Sequence, residues 1–283
     1  ARTNPRAITP NLGRKENLNS DRFKKNNVNI IGTGEKTLLL AHGFGCDQKM
    51  WRFMLPALIP HYKVVLFDYV GSGNSDLANY DQARYSSLEG YALDVLEICE
   101  ALDLQNVTFV GHSVSNMIGL IASIQQPKFF SNLVMVCPSP CFLNFEPDYI
   151  GGFEKSDLDE LFNLMDKNYI GWANYLAPLV IGANHSEKLI GELSGSFCST
   201  DPIIAKAFAK ATFFSDYRYL LKEAKHPALI FQSSHDSLAS TDIGEYMLKQ
   251  LPNAQLKLIE AEGHCLHMTY PDIINQGLRD YVD

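Results

Sequence analysis

The chain has no long apolar run. Its longest, Leu176 to Ala183, spans eight residues and contains Pro178, whereas a membrane-crossing helix needs about 20, so no membrane partner is expected. Charge is scarce as well: 20% of the 283 residues are charged and 46% are hydrophobic. That is the balance of a folded globule with a large core, not of a disordered chain. Basic residues are in deficit, 24 against 32 acidic ones, for a formal charge of -8. Binding to nucleic acid would call for a cationic face toward the phosphates, and is therefore not expected. No C-x-x-C pair occurs among the six cysteines, and the nearest two, Cys137 and Cys141, flank Pro-Ser-Pro. Cysteines this sparse do not form a disulfide scaffold, so all six read as free thiols in a reducing compartment, the cytoplasm.

The charge is unevenly spread. Residues 1–27 hold seven basic side chains against Glu16 and Asp21, a net of +5, so that the remainder carries -13. This segment has no apolar h-region and is not expected to be a secretory signal. It reads as a flexible, solvated N-terminal arm, with an arm that binds an acidic partner as the alternative.

Beyond it, short apolar runs alternate with longer helical patterns. Thr37–Ala41, Lys63–Phe67, Val107–Val110, Leu133–Val136, Ala228–Phe231 and Leu256–Ile259 read as strands. Most are continuously apolar, as strands covered by helices on both faces must be. Tyr91 to Leu102 has helical spacing, and the alternation predicts an open, mostly parallel α/β sheet. From Cys141 to Ser215 no strand is expected. Ser156 followed by Asp159 resembles a capping box there, and Thr200 before Pro202 reads as the start of another helix. The expected organisation is an arm (1–27), a first core block (28–140), a helical lid over the strands' carboxyl ends (141–215) and a second core block (216–283).

The strongest motif is Gly111-His112-Ser113-Val114-Ser115, directly after a strand and before a helical run. A nucleophile elbow needs that context: the tight turn exposes the Ser113 hydroxyl and puts the Val114 N–H at the new helix terminus. The usual final glycine is Ser115 here, and a small residue suffices for close helix–strand packing. A serine needs a base and an orienting acid, which follow it in the order Asp or Glu, then His, each after a strand. Asp236 stands at the exit of the Ala228–Phe231 strand, and His264 follows Leu256–Ile259. Asp216 and Asp242 are rival acids that do not follow a strand. His235 and His267 are rival bases, the first immediately preceding the acid and the second suited to supporting the His264 loop.

Ala41-His42-Gly43-Phe44-Gly45 follows the first of these strands. Its glycines would let the Phe44 N–H pair with that of Val114 as an oxyanion hole. Gly71-Ser72-Gly73-Asn74-Ser75 lacks the spacing and the lysine of a phosphate loop. His264-Cys265-Leu266-His267 has no second ligand group, so neither metal nor cofactor is expected. The 141–215 block holds twelve aromatic residues and no arginine, which favours an uncharged, hydrophobic ligand over an anion. Phe142, Phe153, Phe162, Trp172 and Phe213, with His112, are the expected pocket residues.

Gly43–Gln48, Phe67–Gly73, Gly111–Val114, Tyr169–Ala173, Cys198–Pro202 and Gly263–Cys265 together resemble the bacterial RsbQ-type α/β-hydrolases. The Gly-His-Ser-Val-Ser variant is also similar to that of the plant karrikin and strigolactone receptors. The resemblance runs from about Asn26 to the C-terminus. It implies an α/β-hydrolase fold with a V-shaped four-helix lid over a buried hydrophobic pocket, and a triad of Ser113, His264 and Asp236. Two functions are implied: hydrolysis of a small hydrophobic ester or lactone, or signalling in which slow hydrolysis controls a regulatory protein partner, a phosphatase or sensor. Ser240 stands where many relatives have proline, and the basic arm has no counterpart.

Overall fold

The computed structural model describes residues 20–283. Seven strands form one sheet: β1 (Asn29–Ile31), β2 (Thr37–Ala41), β3 (Lys63–Leu66), β4 (Val107–His112), β5 (Phe130–Val136), β6 (Ala228–His235) and β7 (Ala254–Glu262). Their order is β1-β3-β2-β4-β5-β6-β7. All neighbours pair in parallel except β1 with β3. The six runs expected as strands are β2 to β7. The antiparallel edge strand β1 was not anticipated, because three residues carry too little pattern.

The helices are α1 (Asp21–Lys24), α2 (Leu55–Leu58), α3 (Leu88–Ala101), α4 (Ser115–Gln125), α5 (Lys155–Lys167), α6 (Tyr169–Ile181), α7 (Glu187–Ser199), α8 (Pro202–Phe213), α9 (Thr241–Gln250), α10 (Leu266–Thr269) and α11 (Pro271–Val282). Successive strand residues face opposite sides of the sheet, and the core divides accordingly. Leu39 and Phe109 pack with Val95 of α3 and Ile118 of α4. Leu38, Leu40 and Val110 pack with Ile274 and Leu278 of α11 on the other face. A strand buried on both faces needs mostly apolar residues, which is why β2 and β4 read as nearly continuous runs, with Thr108 the one polar residue inside Val107–Val110.

The basic arm is shorter than its composition suggests. From Ser20 onward the chain is folded against the body: Phe23 and Asn26 are buried, and Lys25 Nζ lies 2.9 Å from both Asp94 and Glu97. The apolar ring of Phe23 and these ion pairs draw residues 20–27 onto α3. The rest of the expected arm, residues 1–19, lies outside the described residues.

Between β5 and β6 come four helices, α5 to α8, and only isolated bridges of extended pairing. The chain leaves and rejoins the sheet body at neighbouring points, with Cys141 bridged to Asp216 and Tyr217 N–H donating to the Pro140 carbonyl at 2.9 Å. The helix starts differ from expectation. The capping box is Glu154 with Asp157, two residues before the Ser156–Asp159 pair. Asp201, not Thr200, caps α8, accepting from the Ile203 and Ile204 N–H groups. A carboxylate directly before Pro202 reaches the free amides of the first turn better than a hydroxyl one residue further out.

The four helices have their own apolar cluster. It includes Phe162, Trp172, Leu176, Phe197 and Phe213, and it reaches Cys46, Leu238, Cys265 and Met268 of the body. Arg52 also forks onto Glu192 of α7 through two 2.6 Å hydrogen bonds. Both partners are partly exposed, so this pair adds up to about 1 kcal/mol, and burial of the aromatics does most to hold the helices down.

Candidate active site

Ser113 occupies the turn between β4 and α4, with φ +54°. An L-residue adopts that left-handed backbone only when its surroundings impose it. Here the Ser113 N–H is held by the Val136 carbonyl at 3.0 Å, and its own carbonyl accepts from Asn116 N–H at 3.0 Å, opening α4. The hydroxyl thus sits at a helix N-terminus, where the local dipole favours negative charge.

His264 lies between β7 and α10, and its Nε2 is 2.7 Å from Ser113 Oγ. Its Nδ1 is 2.7 Å from Asp236 Oδ2. The other oxygen, Oδ1, accepts from the Leu238 and Ala239 N–H groups at 2.9 and 3.2 Å. A carboxylate can only accept, so the network assigns the imidazole proton to Nδ1 and leaves the Nε2 lone pair for the serine hydroxyl. This arrangement can take a proton from Ser113 and stabilise the imidazolium that results.

The Gly43–Gly45 turn follows β2 beside them. A Cβ on Gly43 would stand 2.4 Å from His112 Nδ1, so only glycine allows the loop this close to the elbow. Among the described residues, neither the Phe44 nor the Val114 N–H donates to a loop backbone carbonyl. Ser115 does more than supply small size. Its hydroxyl meets Tyr69 OH at 2.7 Å and donates to the His42 carbonyl, tying α4 to the base of the same loop.

Three further buried histidines, His42, His112 and His267, surround the centre. His112 Nε2 contacts the His264 carbonyl at 2.8 Å, and its ring centroid lies 4.2 Å from that of His267. His267 packs on Trp51 at 4.6 Å, and among the described residues neither of its ring nitrogens has a hydrogen-bond partner. Burial pushes His267 down to about 3, and the neighbouring His264 adds to the effect. Burial also holds His42 and His112 below the usual histidine range. The rival base His235 is exposed, and of the rival acids, Asp216 is paired with Arg218 while Asp242 lies in the first turn of α9. Neither rival acid hydrogen-bonds to His264 in place of Asp236.

Above Ser113 is a narrow cavity of about 30 Å³, lined by Phe44, His112, Phe142, Phe213 and, unanticipated, Cys46, Leu176, Val180, Phe197, Thr212 and Leu238. Phe153 lies instead on an outer cleft of about 510 Å³ that shares Leu176, Phe213 and Leu238 with the inner cavity. Phe162 and Trp172 line neither space: Phe162 stacks on Phe214 at 5.2 Å, and Trp172 packs between Tyr169 and Phe197. Leu176 and Val180 are four apart on α6 and so share a face, a spacing that could have marked them. One group of three potential metal ligands, Cys137, Asp236 and His264, has its ligand atoms within 4.8 Å of one another. Asp236 and His264 are already bonded to each other, and burial holds the Cys137 thiol well above its usual range, against formation of the thiolate a metal would need.

Residues 36–271 match the family model of the alpha/beta hydrolase fold. The chain belongs to the alpha/beta hydrolase family. The hydrolase is 43% identical to the karrikin insensitive 2 receptor CA of Petunia hybrida, over 88% of this chain and 92% of the relative. It is 38% identical to the strigolactone esterase D14 of Arabidopsis thaliana, over 89% and 94%. A solved structure of a hydrolase from Oleispira antarctica is 66% identical, covers 92% of this chain and 96% of its own, and superposes with a TM-score of 0.91. No helix among the described residues of the hydrolase is long and apolar enough to cross a membrane.

Proposed function

We propose that the chain is a serine hydrolase of small, uncharged, hydrophobic esters or lactones, with Ser113 as nucleophile, His264 as general base and acid, and Asp236 as its orienting acid. The observation that carries this reading is the continuous relay from Ser113 Oγ through His264 to Asp236, two contacts of 2.7 Å, beneath an apolar cavity. Ser113 Oγ attacks the carbonyl carbon as its proton passes to His264 Nε2. The oxyanion forms toward the Phe44 and Val114 N–H groups, each worth about 3 kcal/mol of transition-state stabilisation. Collapse breaks the ester C–O bond, and the leaving oxygen takes the proton from His264. Water then attacks the acyl-serine with His264 as base, regenerating Ser113 and releasing the acid.

In this reading helices α5 to α8 serve as a lid. An inner cavity of about 30 Å³ is far smaller than the roughly 300–1,000 Å³ of a typical ligand site. Substrate therefore enters from the outer cleft as Leu176, Phe213 and Leu238 part. Six free cysteines agree with a cytoplasmic location. The test is a burst of p-nitrophenol from p-nitrophenyl acetate, stoichiometric with the chain and absent in Ser113→Ala. A full burst in that variant would refute the assignment.

A second reading is favoured by one observation: among the most similar relatives is one named a receptor. The same site would then turn over slowly to control a regulatory protein, as in the RsbQ-type regulators, whose partner would be a phosphatase or sensor. Fast multiple turnover on a cellular ester, with no partner bound at any stage, would count against it.

A further inference from the structure

The loop that carries His264 is held from two sides. From the sheet side, the Gly263 N–H donates to the His235 carbonyl at 2.7 Å, and the His264 carbonyl is held by His112. Further contacts come from the end of α6 and the turn between α6 and α7. The His264 N–H donates to the Val180 carbonyl, 2.7 Å away, in the last turn of α6. The His185 ring Nε2 lies 2.7 Å from the Glu262 carbonyl, which can only accept, so Nε2 carries the proton. Asn184 Nδ2 donates to the Glu262 carboxylate at 2.8 Å. The fit is close: at Gly263, with φ +108°, a Cβ would lie 2.1 Å from the Ile181 carbonyl oxygen.

His185 is itself fixed. Its N–H closes the turn onto the Gly182 carbonyl at 3.1 Å. Its ring stands edge-on to Tyr270, with centroids 5.6 Å apart and planes at 80°. The hydrogen bond to Glu262 therefore joins a rigid donor to the residue two before the base. Proton transfer from Ser113 depends steeply on that distance, since a shift of about 1 Å in a reacting pair can cost on the order of 100-fold in rate.

We propose that His185 is a positioning residue of the hydrolase: its bond to the Glu262 carbonyl holds the loop that sets His264 at hydrogen-bonding distance from Ser113, making triad activity conditional on docking of the α6–α7 turn. The proposal rests on the reading of Ser113 and His264 as nucleophile and base. It assigns the helical insertion a part in the chemistry beyond enclosing the substrate. A loosened turn would free the Glu262 carbonyl and the His264 N–H from their partners on this side, although Glu262 stays paired with β6, and so weaken proton transfer even with the pocket intact.

The test compares His185→Ala and His185→Gln, whose side-chain amide can place a donor near the position of Nε2, by active-site titration with p-nitrophenyl acetate. The expected result for His185→Ala is a burst amplitude close to wild type, an acylation rate about 10-fold lower and a nearly unchanged KM, with most of the rate restored in His185→Gln. The low-field proton resonance of the His264–Asp236 hydrogen bond, read without substrate, should broaden in the alanine variant and return in the glutamine one. Asn184→Ala, a milder change at the same loop, should slow acylation about 2-fold. Acylation per titrated site equal to wild type in His185→Ala would overturn the proposal, as would equal losses of amplitude and melting temperature in both His185 variants. If wild type itself gives no burst, the hydrolase reading fails, while the proton resonance still tests the hold of His185 on His264.

Discussion

The imidazole of His112 reaches through Nε2 to the carbonyl of His264, 2.8 Å away and 152 positions later in the chain. The elbow that carries Ser113 and the loop that carries the proposed base are thereby joined, from the residue before Ser113 to the backbone of His264 itself. His112 Nδ1 meanwhile faces the position where a Gly43 side chain would begin. One ring thus abuts three of the four loops of the site, the Asp236 loop being the fourth.

Replacing His112 tests that junction. His112→Leu leaves the buried His264 carbonyl without this donor, a loss of about 1–3 kcal/mol, and allows the base to drift. Urea denaturation should show the lower stability and steady-state kinetics a lower kcat. His112→Gln, which retains a donor, should lose less of both.

Asp236→Asn should leave the fold nearly intact and abolish most of the activity. An amide in this position can present N–H to His264 Nδ1, which then carries the proton on Nε2, the wrong nitrogen for accepting one from Ser113. A fall in kcat of about 10⁴-fold is expected. Circular dichroism and a thermal melt would check that the variant is folded.

Stability should fall with acid because of the buried histidines. The folded protein keeps His267 neutral down to about 3, while the unfolded chain protonates it near 6.5. Between those values the unfolded state binds more protons, so stability is full above 6.5 and declines as pH drops toward 3. His267 contributes about 1.4 kcal/mol per pH unit in that window, and the lowered His42 and His112 act in the same direction. Denaturation midpoints from pH 7.5 to 4.5 should follow this slope, and His267→Phe should flatten it.

Leu238 lines both the inner cavity and the outer cleft, and in the proposed route substrate passes it. Leu238→Ala should raise kcat/KM for p-nitrophenyl hexanoate relative to the acetate several-fold, at a stability cost of up to about 2–5 kcal/mol. Measuring the two esters side by side separates widening of the passage from general loss of active protein.

What could be read in the sequence was whatever depends on local pattern. β2 to β6 announce themselves because a strand buried on both faces must be largely apolar, while the edge strand β7 shows only the short Leu256–Ile259 run. The elbow is legible because strand, small residue, serine and helix are contiguous, and the acid and base follow at strand exits. The pocket was less legible. Phe162 and Trp172 are as aromatic as Phe142 and Phe213, yet they face other helices, and the direction a helix face takes is decided by tertiary packing. β1 is too short to show a period. Asp201 took the cap expected of Thr200, a choice set by side-chain reach. The hold of His185 on Glu262 had no local sign, since its partner is 77 residues away.

The most direct measurement is intact-protein mass spectrometry after treatment with a fluorophosphonate, followed by peptide mapping of the adduct. The account predicts one covalent adduct per chain, located on Ser113, lost in Ser113→Ala and formed far more slowly in His264→Ala. An adduct on another residue, or undiminished labelling of Ser113→Ala, would contradict it.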